Sequence, residues 1–486
     1  MHESKFIFYQ RRRSLVDQTG QKRENWGSRL GFIMAAAGSA VGLGNIWRFP
    51  YMTGQNGGGA FIIIYLFFAL VIGLSIMVAE FTVGRNSGKA AVGAYKSKSR
   101  SWTFAGVIGV LSGFFIMGFY PVVGGWAVAY IVKSFTGLLT NAGAIGDTFG
   151  GFITNPVEPL AWMLVFIAMN ILIVAKGVAG GIEKAGKILM PLLFVLLIII
   201  AIRSITLEGA GAGLAFLFKP DWSEVTGQTF LAALGQAFFS LSLGMGCMIT
   251  YGSYLSKKEN LQSNALIVTI MDTSVALLAG IAIFPALFAF GMEPTAGPGL
   301  VFVVVPSIFA AMGGIGVVLS AIFFVALTVA ALTSSVSLLE VVVAYLMDER
   351  NMARKSAVYL SSAIMVVMCV LASLSLGTMS GVTFLGVGAF DFFDILTDKI
   401  FLAIGGLLLC VFTGWVVKKE DLKQELTNGG TISFPLFEIW YNLVKFVIPV
   451  AIAVVAVAGI MSITQQSLMI FGLGIILVLA IISRKL

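Results

Sequence analysis

From residue 29 onward the chain is a succession of apolar runs joined by short polar loops. A helical bilayer crossing needs about 17–25 largely apolar residues. Runs of that kind lie at 29–51, 60–84, 104–136, 160–176, 187–206, 228–255, 262–291, 314–347, 356–376, 394–417, 440–461 and 467–483. They make about twelve spans, the last set off from its neighbour only by Thr464, Gln465 and Gln466. Hydrocarbon satisfies no backbone polar group, so these runs predict helices and an all-α polytopic membrane protein. Composition agrees: 58% of residues are hydrophobic and 11% charged, unlike any soluble domain. One His and three scattered cysteines (Cys247, Cys369, Cys410) exclude His- or Cys-based metal centres and a disulfide framework.

The net charge of +8 invites a nucleic-acid reading, but the charges sit in loops between apolar runs. They follow membrane topology instead. Alternate loops hold Arg85, Lys89, Lys96, Lys98 and Arg100, then Lys176, Lys184 and Lys187, then Lys257 and Lys258. The series continues with Arg350, Arg354 and Lys355, then Lys418, Lys419 and Lys423, and ends with Arg484 and Lys485. The intervening loops offer only Lys133, Arg203, Lys219 and Lys399, besides Arg48 at a helix end. By the positive-inside rule, the basic loops, the 1–26 tail and the C-terminus are cytoplasmic, and the membrane is the plasma (inner) membrane. No signal-peptide-like apolar region precedes the first span.

Two spans are built to break. Gly38–Pro50 (GSAVGLGNIWRFP) places three glycines within seven residues and adds Asn45, Arg48 and Pro50. Each glycine costs a helix interior about 1 kcal/mol. Unwound backbone survives in a membrane only where protein buries it or water reaches it. The sixth run carries a second break, Ser240-Leu241-Ser242-Leu243-Gly244-Met245-Gly246. Breaks in spans one and six, five apart, point to an inverted-repeat secondary transporter with its site between them. The expected organisation is a tail at 1–26, one repeat at 27–206, a second at 225–417 and two peripheral helices at 434–486.

The stretches WGSRLGFIMAAAGSAVGLGNIWRFPY, NGGGAF, FFSLSLGMG, ALTSSVSLLE and FDFFDILT, in that order and spacing, resemble the signature of the neurotransmitter:sodium symporters. The match runs from about Arg23 to Trp415 and is closest in style to bacterial members that carry amino acids. The resemblance implies a leucine-transporter-like fold and a role for each residue of the breaks. A substrate carboxylate would meet the free N–H groups and positive dipole end at Leu43 and Gly44, assisted by the Tyr120 hydroxyl. Its ammonium would meet carbonyls around Ala40 and Phe239. Ile116, Phe239, Ser242, Met245, Ser334 and Leu338 would line the side-chain end, with Met245 adapting to varied guests, and Ser240 would also belong to the substrate site. The plainer reading of Tyr120 is an interfacial aromatic, though its place in FYP within a long third span favours the site, and the aliphatic residues taken alone are ordinary core or lipid contacts.

Sodium, a hard cation, takes oxygen ligands. The resemblance puts one ion on Ala40, Asn45, Ser240 and Asp272, completed by the substrate carboxylate, and a second on Gly38, Val41, Ala330, Thr333 and Ser334. The plainer reading of Thr333 and Ser334 is hydroxyls bonded back to the preceding turn. Asp272 lies inside a span, where a carboxylate signals function by default. Some relatives have a neutral Asn there, and chloride users carry a Ser four residues on, where this chain has Ala276. An ionised Asp272 predicts sodium dependence without a chloride requirement; a protonated, hydrogen-bonded Asp272 is the alternative. Arg48–Asp394 would form the outer gate and Arg23–Asp348, under Trp26, the inner one. Glu80 resembles the family's support for the broken sixth helix, while Glu340 is open between a structural pair and a proton site.

The function expected is sodium-driven symport of a neutral, hydrophobic or aromatic L-amino acid, with no organic cofactor and no nucleic-acid partner. A transporter-shaped sensor that binds without moving substrate is the main rival. An intramembrane enzyme would have only Asp272, Glu80 and Glu340 to work with, and no nucleophile–base pair accompanies them. Oligomeric state, the amino acid itself and the number of sodium ions are not legible.

Overall fold

The computed structural model describes residues 24–292 and 299–483. Nine of its helices are long and apolar enough to cross a membrane, and two bent pairs raise the number to eleven. The first bent pair is Arg29–Ala40 with Gly44–Gln55, kinked by 50°. The second is Ile145–Thr154 with Glu158–Val174, at 76°. Gly227–Ser240 and Cys247–Ser253 flank the predicted break in the sixth run, and as one interrupted crossing they complete twelve. The run at 467–483 is a helix, Gln466–Ser483. An isolated bridge between Phe384 and Val387 is the only β pairing among the described residues.

Both breaks follow from their sequences. Ser28 caps the first half-helix by accepting from the Gly31 N–H, and the helix ends where Val41 turns extended (φ −70°, ψ 115°). The chain re-enters through a wide π-turn at Gly44–Arg48 and continues as Phe49–Gln55. Gly42 must lack a side chain, because a Cβ there would stand 2.8 Å from the Tyr120 hydroxyl and 3.0 Å from Ser334. In the sixth span Ser242, Gly244 and Gly246 all have positive φ, at 53°, 78° and 76°. A Cβ on Gly244 would also meet the Leu402 carbonyl at 2.5 Å, so this turn admits only glycine. Ser242 is the costly member, held by its hydroxyl donating to the Ser39 carbonyl at 2.7 Å. One break thereby fastens the other.

The third span, predicted as one run at 104–136, is two helices, Thr103–Ile116 and Tyr120–Phe135. Pro121 cannot continue the upstream ladder, and the turn it imposes delivers Tyr120 toward the first break.

On the face that carries the basic loops, the Arg85 guanidinium donates from Nε to Glu425 Oε1 (2.7 Å) and from Nη1 to the Glu259 carbonyl. Lys257 Nζ lies 2.7 Å from Glu425 Oε2. Glu425 sits on the Lys419–Leu426 helix, outside the spans. Burial pushes its carboxyl up, but Lys257 and Arg85 together hold it below the usual carboxylate range. A lowered folded-state pKa gives stability that is complete above the ordinary carboxylate value and disappears as pH falls through the lowered one. Glu425→Gln is therefore expected to destabilise the protein by about 2 kcal/mol near neutrality, since Lys257 is half exposed and screened. Thermal unfolding of both proteins across an acid titration should show the gap closing at low pH.

Candidate functional site

Asn45, Ser240 and Asp272, from three separate spans, meet in one fully buried cluster. The Asn45 amide donates to Asp272 Oδ1 (2.8 Å), the Asp272 carbonyl (3.0 Å) and Ser240 Oγ (3.0 Å). Ser240 Oγ in turn donates to Asp272 Oδ2 at 2.8 Å. Asn45 Oδ1 accepts from the Gly42 N–H at 3.0 Å, which ties the cluster to the first break. Carboxylate, hydroxyl and carbonyl oxygens converge here, the kind of donor a hard cation takes, while the Asn45 amide turns its nitrogen to them and its oxygen to Gly42. Ala40, which closes the first half-helix, belongs to the terminal turn whose carbonyls have no partner within the helix.

The second predicted set also comes together. A Cβ on Gly38 would stand 3.0 Å from the Thr333 Cβ, so the first half-helix packs directly on the Ala330–Ser334 turn. Thr333 Oγ1 donates back to the Val329 and Ala330 carbonyls, each at 3.1 Å. This is the plainer geometry weighed above, and it commits the hydroxyl proton while leaving oxygen lone pairs. Val41, at the unwound turn, and Ser334, against Gly42, complete the neighbourhood.

Around the first break, the Leu43 N–H donates to the Tyr120 hydroxyl at 3.2 Å. Gly44 lies against Phe239, whose ring carries the Arg48 guanidinium 4.5 Å above its centroid. Ile116, Met245 and Leu338 are buried, and Gly113, one turn before Ile116, has Met245 and Leu338 as its nearest neighbours. Glu80 Oε1 accepts from the Gly244 N–H at 2.7 Å, the support expected of it. Its carboxylate also lies by the Met248 and Ile249 N–H groups at the start of the next half-helix.

The outer ion pair differs from expectation. Arg48 Nη1 is bonded to Asp398 Oδ1 at 2.9 Å, not to Asp394. Asp394 ends a helical turn before the chain widens into a π-turn at Leu396–Phe401, and that register brings Asp398 to the guanidinium. Lys399 also pairs with Asp398, at 3.2 Å. Beyond the pair opens a cavity of about 340 Å³ lined by Arg48, Phe239, Asp398 and Lys399 together with Gln55 and Gln228.

At the opposite end Trp26 donates its indole N–H to the Tyr251 carbonyl (3.0 Å) and packs edge-on against Phe32 and Tyr251. Asp348 Oδ2 accepts from the Ala90 N–H at 2.7 Å. Arg23, the other half of the expected inner gate, lies outside the described residues.

Sequence reasoning missed several participants. Tyr65 reaches both Asp272 Oδ2 (3.4 Å) and Ser240 Oγ (3.5 Å) with its hydroxyl. Gln236 Nε2 donates to the Gly44 carbonyl at 2.9 Å. Both are lone polar side chains within apolar runs, a signal applied above only to carboxylates. Glu183 accepts from the Gly27 N–H (2.6 Å) and the Ser28 hydroxyl (2.9 Å), pinning the start of the first half-helix to the fifth span. Glu340 makes two bonds to Arg354, at 2.7 and 2.9 Å, and accepts from the Tyr254 hydroxyl at 2.7 Å. Of its two readings, the structural pair is the one present.

Two interrupted membrane helices closing around a buried polar cluster define a secondary transporter of the broken-helix class. The chain belongs to the sodium:neurotransmitter symporter family, whose sequence model matches residues 23–144 and 153–475. It is 41% identical to YhdH, an uncharacterized sodium-dependent transporter of Bacillus subtilis (strain 168), over 90% of this chain and 97% of the relative. An uncharacterized sodium-dependent transporter of Haemophilus influenzae is 39% identical over 90% and 99% of the two chains. Among solved structures, the crystal structure of MhsT in complex with L-phenylalanine is similar with a TM-score of 0.82 and 47% identity, over 90% of this chain and all of MhsT. The protein is thus a sodium-dependent symporter and a multi-pass membrane protein, from a family of transporters rather than enzymes.

Proposed function

We propose that this protein imports a neutral, hydrophobic or aromatic L-amino acid with sodium, by alternating access and without chloride. The observation that carries the reading is the Asn45–Ser240–Asp272 cluster seated beside the Leu43–Gly44 turn. A sodium ion on those oxygens would stand next to a carboxylate bound at the turn, so ion and substrate raise each other's affinity equally. Buried Ile116, Met245 and Leu338 offer the side chain an apolar surround with no charged group among them, which suits a leucine-like or phenylalanine-like guest. The similarity to MhsT, solved with L-phenylalanine, supports the same class.

In this reading Ala40, Asn45, Ser240 and Asp272 hold one sodium, and Gly38, Val41, Ala330, Thr333 and Ser334 a second. Arg48–Asp398 closes the outer side over Phe239 and Tyr120. Asp348 and Trp26, with Arg23, close the inner side. Spans one to five and six to ten act as inverted repeats that rock against each other, with the basic loops and both termini in the cytoplasm. Asp272 supplies in fixed form the negative charge that a chloride would otherwise bring, and Ala276, one turn along, has no group to bind an anion.

The test is uptake of a labelled neutral amino-acid panel into proteoliposomes under an inward sodium gradient, with chloride replaced by gluconate in a parallel set. Accumulation of a hydrophobic or aromatic member, dependent on sodium and indifferent to gluconate, is the expected result. Binding without accumulation in sealed vesicles would overturn transport in favour of a sensor.

A further inference from the structure

On the basic face, the end of the tenth span and the start of the eleventh are stitched together by aromatic donors. The Trp415 indole N–H donates to the Lys445 carbonyl, and the Tyr441 hydroxyl to the Gly414 carbonyl, each at 3.1 Å. A Cβ on Gly414 would stand 2.8 Å from the Lys445 Cα, so the two helices meet backbone to backbone there. This junction fixes three rings around one ammonium. Lys445 Nζ lies 4.7 Å from the Trp415 ring centroid and 5.4 Å from those of Tyr441 and Phe446.

Among the described residues the Lys445 ammonium has no carboxylate partner, and the one hydrogen bond it donates is a long one to the Tyr441 hydroxyl, 3.4 Å. Ring faces attract an ammonium without neutralising it, and they use none of its three N–H donors. The neighbouring Lys419 is different: it is paired with Glu438 at 2.7 Å. The outer walls of the cage are open and apolar, Trp415 being 60% exposed, Phe446 50% and Val447 54%. Exposed aromatic rings at the ends of spans occupy the headgroup layer of a bilayer.

We propose that this cage is a binding site for the head group of an anionic phospholipid in the leaflet on the basic face. The phosphodiester accepts from Lys445, which balances its charge where the head group carries no cation of its own, and the first carbons of the acyl chains lie on Trp415, Phe446 and Val447. A free phosphate would use the ammonium but leave the exposed rings without a partner, so the lipid is the better match. The ordinary arrangement for such residues is a snorkelling lysine in an aromatic belt that meets all lipids alike. A fixed cage with an unpaired charge discriminates between them.

The experiment is native mass spectrometry of the full-length, detergent-purified protein titrated with phosphatidylglycerol or with phosphatidylcholine of the same acyl chains. Wild type is expected to bind phosphatidylglycerol more tightly. Lys445→Gln should lose about five-fold of that preference, the effect of one basic residue at a charged lipid surface, and Lys445→Arg should keep it. Equal binding of the two lipids by wild type overturns the site outright, whether or not any variant folds. So does an unchanged preference in Lys445→Gln, or displacement of the lipid by glycerol phosphate at matching concentration, which would mark a mere anion site.

Discussion

Asp272→Asn should weaken sodium binding by two to three orders of magnitude and abolish sodium-driven uptake, with the fold retained. Asparagine keeps the shape of the side chain and one acceptor oxygen, so one of the two hydrogen bonds that Asp272 accepts, from Ser240 and from Asn45, survives. What it removes is the one charge in the cluster. At about 4 Å and an effective dielectric near 20, two unit charges attract by roughly 4 kcal/mol, which bounds the loss at about a thousand-fold. Because ion and substrate affinities are linked, apparent substrate affinity at fixed sodium should fall with it. Sodium titration of labelled amino-acid binding by the purified variant measures both. If Asp272 acted as a protonated, neutral donor, the amide would replace it with little change, and a wild-type sodium titration would discard the fixed-charge role. The same reasoning has a constructive arm. Adding Ala276→Ser to Asp272→Asn places a hydroxyl one turn away, and uptake should return in part and only when chloride is present.

How much of this was written in the chain depends on what kind of interaction each feature uses. The breaks were legible because glycine and polar residues inside an apolar run have no other reading, and both unwound turns lie where their glycines do. Asn45, Ser240 and Asp272 were joined by resemblance; no periodicity links residues on three different spans, and only the packed structure brings them within 3 Å. The outer gate shows the limit of positional reasoning. Asp394 and Asp398 are one turn apart on the same helix, and a π-turn, which has no sequence signature, selected the second. Tyr65 and Gln236 were passed over because a hydroxyl or an amide in a span costs less to bury than a carboxylate, so each stood out less from its run.

Arg354→Ala should be the most destabilising single change on the basic face, about 3–5 kcal/mol, seen as a marked fall in the thermal midpoint of the purified protein. The guanidinium is 11% exposed and the Glu340 side chain fully buried. Arg354 also bonds Glu24 at 3.0 Å and the Val174 carbonyl at 3.3 Å, while Glu24 accepts from the Val178 N–H. One side chain therefore ties the eighth and ninth spans to the end of the fourth and to Glu24 before the first, whose carboxylate in turn meets the start of the fifth. Removing it strands a carboxylate whose only remaining donor among the described residues is the Tyr254 hydroxyl. The cost lies in the stranded charge rather than in the loss of an attractive pair, so removing the charge as well should recover most of it. Arg354→Met combined with Glu340→Gln is expected to be clearly more stable than Arg354→Met alone, a coupling of the size that double-mutant cycles resolve for residues in contact. The cycle also separates the two readings of Glu340. A proton-carrying Glu340 would make the pH dependence of uptake change in Glu340→Gln. A structural partner of Arg354 would change the midpoint and leave the shape of the pH profile as it is, and the bidentate geometry predicts the latter.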